Sequence, residues 1–114
     1  MSAGKEYIDQ MLQKYKVLMI SKSTSPDGTK AQVIFDHYRF DKGDYFFIDI
    51  DKRADCDEIE QYLKELSGTS TVPSIFIDGK YYGGADDLIV GQKLESFDQR
   101  LKDAGIKFDR QPMH

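Results

Sequence analysis

Apolar positions along this chain recur with two different periods, and the alternation between them lays out a fold. Ile8, Met11, Leu12 and Tyr15 are spaced for one face of an amphipathic helix. Lys16–Ile20 is then a short, nearly continuous apolar run, the pattern of a strand covered on both faces. Ser25-Pro26 has the form of a helix start, with Ser25 as N-cap and Pro26 at the first helical position. Ala31, Ile34, Phe35 and Tyr38 continue that helical period, although Gly28 and Thr29 weaken its first turn. Tyr45–Ile50, rich in aromatic and β-branched residues, predicts a second buried strand. After a polar break over 51–55, Ile59, Tyr62, Leu63 and Leu66 mark a helix that ends at Gly68. Ser74–Ile77 and Lys80–Tyr82 form a hairpin around Asp78-Gly79, a type I′ turn sequence. The chain from Ala85 to about Ala104 is helical, with a break expected near Gly91. From Ile106 onward no period is visible, and a loose tail is expected over 105–114.

The predicted order is α-β-α-β-α-β-β-α. A β-α-β start implies a right-handed parallel crossover, and the closing hairpin adds antiparallel pairing. The expected fold class is α/β: a small layered sandwich with a central mixed sheet flanked by helices. The 114 residues suit a single domain, 1–114, with its core over about 8–104. No internal repeat, low-complexity tract or linker is visible.

Composition narrows the function. A net charge of −4, with lysines scattered rather than clustered, argues against nucleic acid or an anionic membrane as the main partner. No apolar stretch approaches the ~20 residues needed to cross a bilayer, and the start, MSAGKEYIDQ, has no signal-peptide pattern. The lone cysteine, Cys56, has no partner for an internal disulfide. The expected setting is therefore cytoplasmic. His37 and His114 stand apart from any cysteine cluster, so no zinc site is expected. Asp49 and Asp51 alternate with apolar residues at a strand end and are read as a solvated edge rather than as metal ligands.

Three motifs carry the chemistry. Val-Leu-Met-Ile-Ser-Lys-Ser leads into Ser25-Pro26-Asp27-Gly28, Thr71-Val72-Pro73 opens the hairpin, and Gly83-Gly84 is followed by Asp86-Asp87. Together, over about Ile8 to Leu101, these resemble the glutaredoxins, thiol–disulfide oxidoreductases of redox homeostasis and electron transport. The resemblance implies the thioredoxin-like three-layer sandwich with a four-stranded mixed sheet. It implies that Pro73 is cis, so that the N–H and C=O of Val72 pair with the cysteinyl part of glutathione like an added strand. It gives Thr71, Val72, Pro73 and Gly84 as ligand-facing backbone, and Asp86 and Asp87 as holders of the γ-glutamyl end at a helix start. It gives Lys22 as partner of the glycine carboxylate, and puts Ser25 beside the ligand.

Where the sequence departs from the family pattern, it loses the reacting group. Ser25 stands at the nucleophile position and Gly28 at the resolving position. An alcohol supplies no thiolate near neutral pH, so mixed-disulfide exchange is not expected. Iron–sulfur ligation goes with it. Asp27 stands where the family often has an aromatic residue, and Glu60 where a Gln or Arg often meets the glycine carboxylate. Both add negative charge beside an anionic ligand. Cys56, among Asp55, Asp57 and Glu58, is read as inert. The expected protein is a monomeric, redox-inactive module that binds glutathione, a glutathionylated protein or another partner. The alternatives are a glutathione-dependent enzyme, either one in which Ser25 stabilises the thiolate of bound glutathione or an oxidoreductase as in the family, and a pure interaction surface using Tyr81 and Tyr82.

Overall fold

A computed structural model describes residues 3–112 of the chain; His114 lies outside the described residues. The elements are α1 (Ala3–Lys14), β1 (Val17–Ser21), α2 (Pro26–Asp36), β2 (Tyr38–Phe40), β3 (Tyr45–Asp49), α3 (Cys56–Ser67), β4 (Ser74–Ile77), β5 (Lys80–Gly83), α4 (Ala85–Lys93), α5 (Ser96–Asp103) and β6 (Phe108–Arg110). Among the described residues no helix is long and apolar enough to cross a membrane.

Strand β1 organises the rest. It lies inside a four-stranded sheet of order β3-β1-β4-β5, parallel to β3 and antiparallel to β4. Its side chains alternate between two apolar layers, as the pleat requires. Val17 and Met19 join Ile75, Ile77, Leu88, Phe97 and Leu101 on the side of α2, α4 and α5. Leu18 and Ile20 join Ile8, Ile48, Ile59, Leu63 and Phe76 on the side of α1 and α3. All four are fully buried, and each contributes roughly 1.5–3 kcal/mol of apolar transfer. The result is the mixed-sheet, three-layer α/β sandwich that the sequence predicts.

Local signals account for most boundaries. Ser25 is the N-cap of α2 with Pro26 in its first turn. Gly68 closes α3 in the left-handed region at φ 84°, its N–H donating to Lys64 O at 2.8 Å. The hairpin turn has positive φ at both Asp78 and Gly79 (53° and 77°), as a type I′ turn needs.

Four expectations are corrected. Tyr45–Ile50 is not a strand buried on both faces: β3 is an edge strand in which only Ile48 is buried, although the following Ile50 is buried too. Phe46, 37% exposed, stacks on Tyr15 with ring centroids 4.8 Å apart. Tyr38 does not continue α2. The helix stops at Asp36, His37 N–H donates to Ile34 O at 3.0 Å, and Tyr38 opens the short strand β2. The final helical stretch breaks not at Gly91 but at Glu95, which has φ 62° and separates α4 from α5.

The fourth correction concerns the tail. Ile106 is buried, and Phe108–Arg110 pairs antiparallel with β2 as a second, two-stranded sheet. Arg110 fastens it. Its guanidinium donates to Asp98 Oδ2 at 2.9 Å, to Gln92 O at 2.7 Å and to Gln92 Oε1 at 2.9 Å. Asp98, largely buried, also accepts from the Tyr38 hydroxyl. Burial and the Asp98 carboxylate push the Tyr38 hydroxyl far above the ordinary phenol range, so it remains a donor. Removing Arg110 would leave Asp98 without its cation inside the fold, a destabilising event. Arg110→Ala should lower unfolding stability by about 2 kcal/mol. Denaturant titration with unchanged slope checks this, and a loss under about 0.5 kcal/mol would contradict the role given to Arg110.

Candidate functional site

The start of α2, the approach to β4, strand β5 and the start of α4 converge on a groove of about 270 Å³. Thr71, Val72, Pro73, Gly84, Asp86 and Asp87, all named from the sequence, line it together. Asp27, Thr69, Tyr81 and Ala85 complete the lining. Lys22 and Ser25 are not among the lining residues.

The loop out of β1 is held by the carboxylate of Asp49. Asp49 Oδ1, at the end of β3, accepts from Ser23 N and from Asp51 N, each at 3.0 Å. The backbone N–H of Asp51, and then that of Ser23, keep the Asp49 carboxyl below the usual carboxylate range. Thr24 Oγ1 donates to Asp51 Oδ1 at 3.4 Å. Asp49 and Asp51, expected only as a solvated edge, fix the path of the chain into Ser25. The signal would have been an Asx-type carboxylate two residues before a free N–H.

Ser25 has extended backbone (φ −83°, ψ 116°), and its Oγ accepts from Gly28 N at 3.1 Å. It is a helix cap, and its hydroxyl proton has no acceptor among the described residues. At Gly28 a Cβ would lie 2.3 Å from Ser21 Oγ, so the Ser21 hydroxyl occupies the place of a side chain at position 28. Ser21 Oγ is buried without a hydrogen-bond partner among the described residues.

The Val72–Pro73 peptide is cis. Around it, Thr71 N donates to Thr69 Oγ1 at 3.2 Å, the two threonine hydroxyls bond to each other, and Ser74 Oγ donates to Thr71 O at 3.1 Å. These bonds fix the segment without using the Val72 main chain: its N–H and C=O have no hydrogen bond among the described residues. An extended ligand therefore has an unpaired donor and acceptor to meet.

At the opposite wall, Asp87 Oδ2 accepts from Gly84 N at 2.9 Å and closes the start of α4. This fold-back needs Gly83, because a Cβ there would lie 2.6 Å from Asp87 Cβ. Gly83 thus leaves room for the Asp87 side chain. Tyr82 is half-buried, set edge-on against Phe97, and donates to Asp87 O at 3.1 Å. Tyr81 packs edge-on against Phe76. Both tyrosines, read as exposed, are partly used in packing.

Lys22 is engaged elsewhere. Its Nζ lies 2.7 Å from Glu60 Oε1 on α3, and each side chain is 28% exposed. The hydrogen bond to Glu60 raises the Lys22 pKa and lowers that of Glu60. Glu60 Oε1 also accepts from Cys56 Sγ at 3.3 Å. Burial first, and then this hydrogen bond, push the Cys56 thiol above its ordinary range. Asp55, expected to press on Cys56, is instead paired with Arg53 at 2.8 Å. Cys56, Asp57 and Glu60 bring three potential metal ligands within 4.8 Å of one another. A thiol held protonated and a carboxylate already neutralised by Lys22 are poor ligands. Cys56 should accordingly react slowly: at pH 7.5, iodoacetamide should modify it at least tenfold more slowly in the folded than in the urea-unfolded chain. Mass spectrometry of the adduct reads this, and equal rates would show that the thiol is neither shielded nor raised.

The same frame occurs in known proteins. The protein-family model for glutaredoxin matches residues 17–82. Glutaredoxin-1 of Oryctolagus cuniculus is 36% identical over 102 residues, covering 90% of this chain and 96% of the relative. Human glutaredoxin-1 is 34% identical over 102 residues, covering 90% and 96%. Among solved structures, oxidized glutaredoxin 2 from Chlamydomonas reinhardtii superposes with a TM-score of 0.78 at 30% identity, covering 90% of this chain and 94% of that one. A buckwheat glutaredoxin–glutathione complex superposes with a TM-score of 0.77 at 25% identity, covering 90% of each chain. Matched over most of its length by a family model and by relatives above 30% identity, and sharing their fold, the chain belongs to the glutaredoxin family.

Proposed function

We propose that this glutaredoxin is a redox-inactive, cytoplasmic binding module, acting as a monomer, that receives glutathione or the glutathionyl group of a modified protein in the groove beside Pro73. The observation that carries this reading is Ser25. Its hydroxyl sits at the start of α2, accepting from Gly28 N, where the family resemblance puts the attacking thiolate. Thiol–disulfide exchange passes through a mixed disulfide on that atom, and an alcohol forms none. The only sulfhydryl of the chain, Cys56, is held protonated against Glu60 on α3.

Binding is supported by what the groove keeps. The unpaired Val72 main chain offers strand-like pairing to a cysteinyl unit. The first-turn amides of α4 favour a carboxylate, and the Asp87 carboxylate beside them suits an ammonium. A γ-glutamyl group carries both. The buckwheat relative solved with glutathione has the same overall fold.

A second reading rests on one further detail. Ser25 Oγ accepts from Gly28 N and its proton has no acceptor among the described residues, so the hydroxyl can donate to the sulfur of a glutathione bound where the family resemblance puts it, and stabilise its thiolate. That would make the protein a glutathione-dependent transferase rather than a passive binder. A conjugation assay with a small electrophile distinguishes the two.

Titration with reduced glutathione should give saturable amide shifts at Val72, Asp86 and Asp87 in the low-millimolar range or tighter. No movement at these amides would remove glutathione as the ligand. The natural chain should show no glutathione-coupled reduction of a small mixed disulfide, and turnover that persists in Cys56→Ser would refute redox inactivity. Conversely, Ser25→Cys should gain that activity by at least about a hundredfold over background, because the helix start lowers a thiol pKa.

A further inference from the structure

Two cavities meet at the start of α4. Asp86 and Asp87 line the groove beside Pro73 and also a second cavity of about 350 Å³, together with Tyr82, Val90 and Gly91. Among the described residues no lysine or arginine lines either cavity. The groove adds a third aspartate, Asp27, in the first turn of α2. The Asp86 carboxylate has no hydrogen bond or ion pair among the described residues. Asp27 has only Lys30, at 4.0 Å and with both side chains more than half exposed, a weak pairing. Arg100 lies over the Tyr82 ring, 5.9 Å from its centroid. The three aspartates do not gather as ligands for a metal ion: among the described residues the one such group is Cys56, Asp57 and Glu60.

The same helix carries the two most exposed large apolar side chains of the described residues. Val90 is 54% exposed, and Leu94, at the C-cap, is 73% exposed. The buried face of α4 is Ala85, Leu88, Gly91 and Gln92. Asp86, Val90 and Leu94 recur at four-residue spacing, so they form one row on the exposed side, acidic at one end and apolar beyond it. At a rise of about 1.5 Å per residue the row is about 12 Å long, which about four extended residues span. Lys93 and Glu95 flank its far end with opposite signs. We propose that this row and the groove beside it dock an extended segment of another protein that is basic at one end and apolar beyond it. A lysine or arginine of the segment sits between Asp27 and Asp86, and apolar side chains two and four residues further on cover Val90 and Leu94. Charge complementarity favours such a partner. A second copy of this chain fits poorly, because an isologous contact would bring the same three aspartates together from two chains of net charge −4. Two exposed apolar side chains are also too little surface for a stable dimer. The inference goes beyond the glutathione reading and stands without it, since the partner is recognised by its own side chains.

Amide NMR titration with three capped decapeptides tests the proposal. The first carries Lys-Arg, with leucines two and four residues beyond the arginine. The second has Glu-Glu in place of Lys-Arg, and the third has serines in place of the leucines. The first should shift the amides of Asp86, Val90 and Leu94 saturably at submillimolar concentration. The second should bind at least about fivefold more weakly, the range that a few partly screened charges supply, and the gap should close in about 0.5 M salt. The third should bind at least about threefold more weakly, through lost apolar contact. Asp27→Asn combined with Asp86→Asn should cut the preference for the basic over the acidic peptide to under about twofold. Leu94→Ser should weaken the first peptide about threefold and keep that preference. Equal binding of the basic and acidic peptides would overturn the proposal. So would shifts that leave Val90 and Leu94 unmoved, or no binding of the first peptide at millimolar concentration. Shifts of Val90 and Leu94 on dilution of the chain alone would assign the row to a second copy and overturn it too. None of these outcomes touches the glutathione reading, whose own marker is the Val72 amide in the separate glutathione titration.

Discussion

One strand constrains everything else in this molecule. β1 is buried on both faces, so its five residues leave no freedom of register: a slip by one position would carry Val17 and Met19 into the layer of Leu18 and Ile20. The loop at its carboxyl end is tied to β3 through Asp49, which accepts from Ser23 N. That loop delivers Ser25 to the start of α2, and β4, paired with β1 on the other side, delivers Thr71, Val72 and Pro73 to the same end of the sheet. The groove sits beyond the carboxyl end of a central strand because two neighbouring strands are pinned there in opposite directions, the usual place for a site in an open α/β sheet.

Much of the site is stabilised from within. Asp49 holds the entry loop, Asp87 holds the start of its own helix, and Glu60 holds Lys22. Each is a charged side chain whose most obvious use from sequence is to face a ligand or solvent, and each is satisfied first by a neighbour. The arrangement preorganises the groove at the expense of free charge. What remains unspent is largely backbone: the Val72 main chain and the first amides of α4.

The legibility of the chain divides along physical lines. Long periodic segments were plain, because burial on one face imprints a period over ten or more residues, as in α3. The type I′ turn and the Ser25-Pro26 cap were plain because each is dictated by one or two residues and their own backbone. β2 and β6 were not, since three-residue strands are too short to show a period of two, and their pairing joins residues far apart in sequence. The edge position of β3 was hidden for a related reason. Tyr-Phe-Phe-Ile is apolar whether it sits in the middle of a sheet or at its margin, where aromatic bodies cover neighbouring side chains such as Tyr15. The backbone of the groove was found through its motifs, yet the fate of Lys22 was not. Which carboxylate captures a lysine depends on how α3 lies against the loop, a tertiary fact without a local signature. Glu60, which in sequence reads as a repulsive charge, has Lys22 as its partner.

The cap at Ser25 has a consequence beyond chemistry. Serine ranks among the best residues for a helix start, where its hydroxyl commonly contributes about 1 kcal/mol. The Ser25 hydroxyl oxygen thus anchors α2. With a single cysteine, and that one raised and shielded, the chain has no internal covalent bond to gain or lose as its surroundings become oxidising or reducing. The covalent frame of the fold is therefore the same whether or not an oxidant is present to join thiols within the chain.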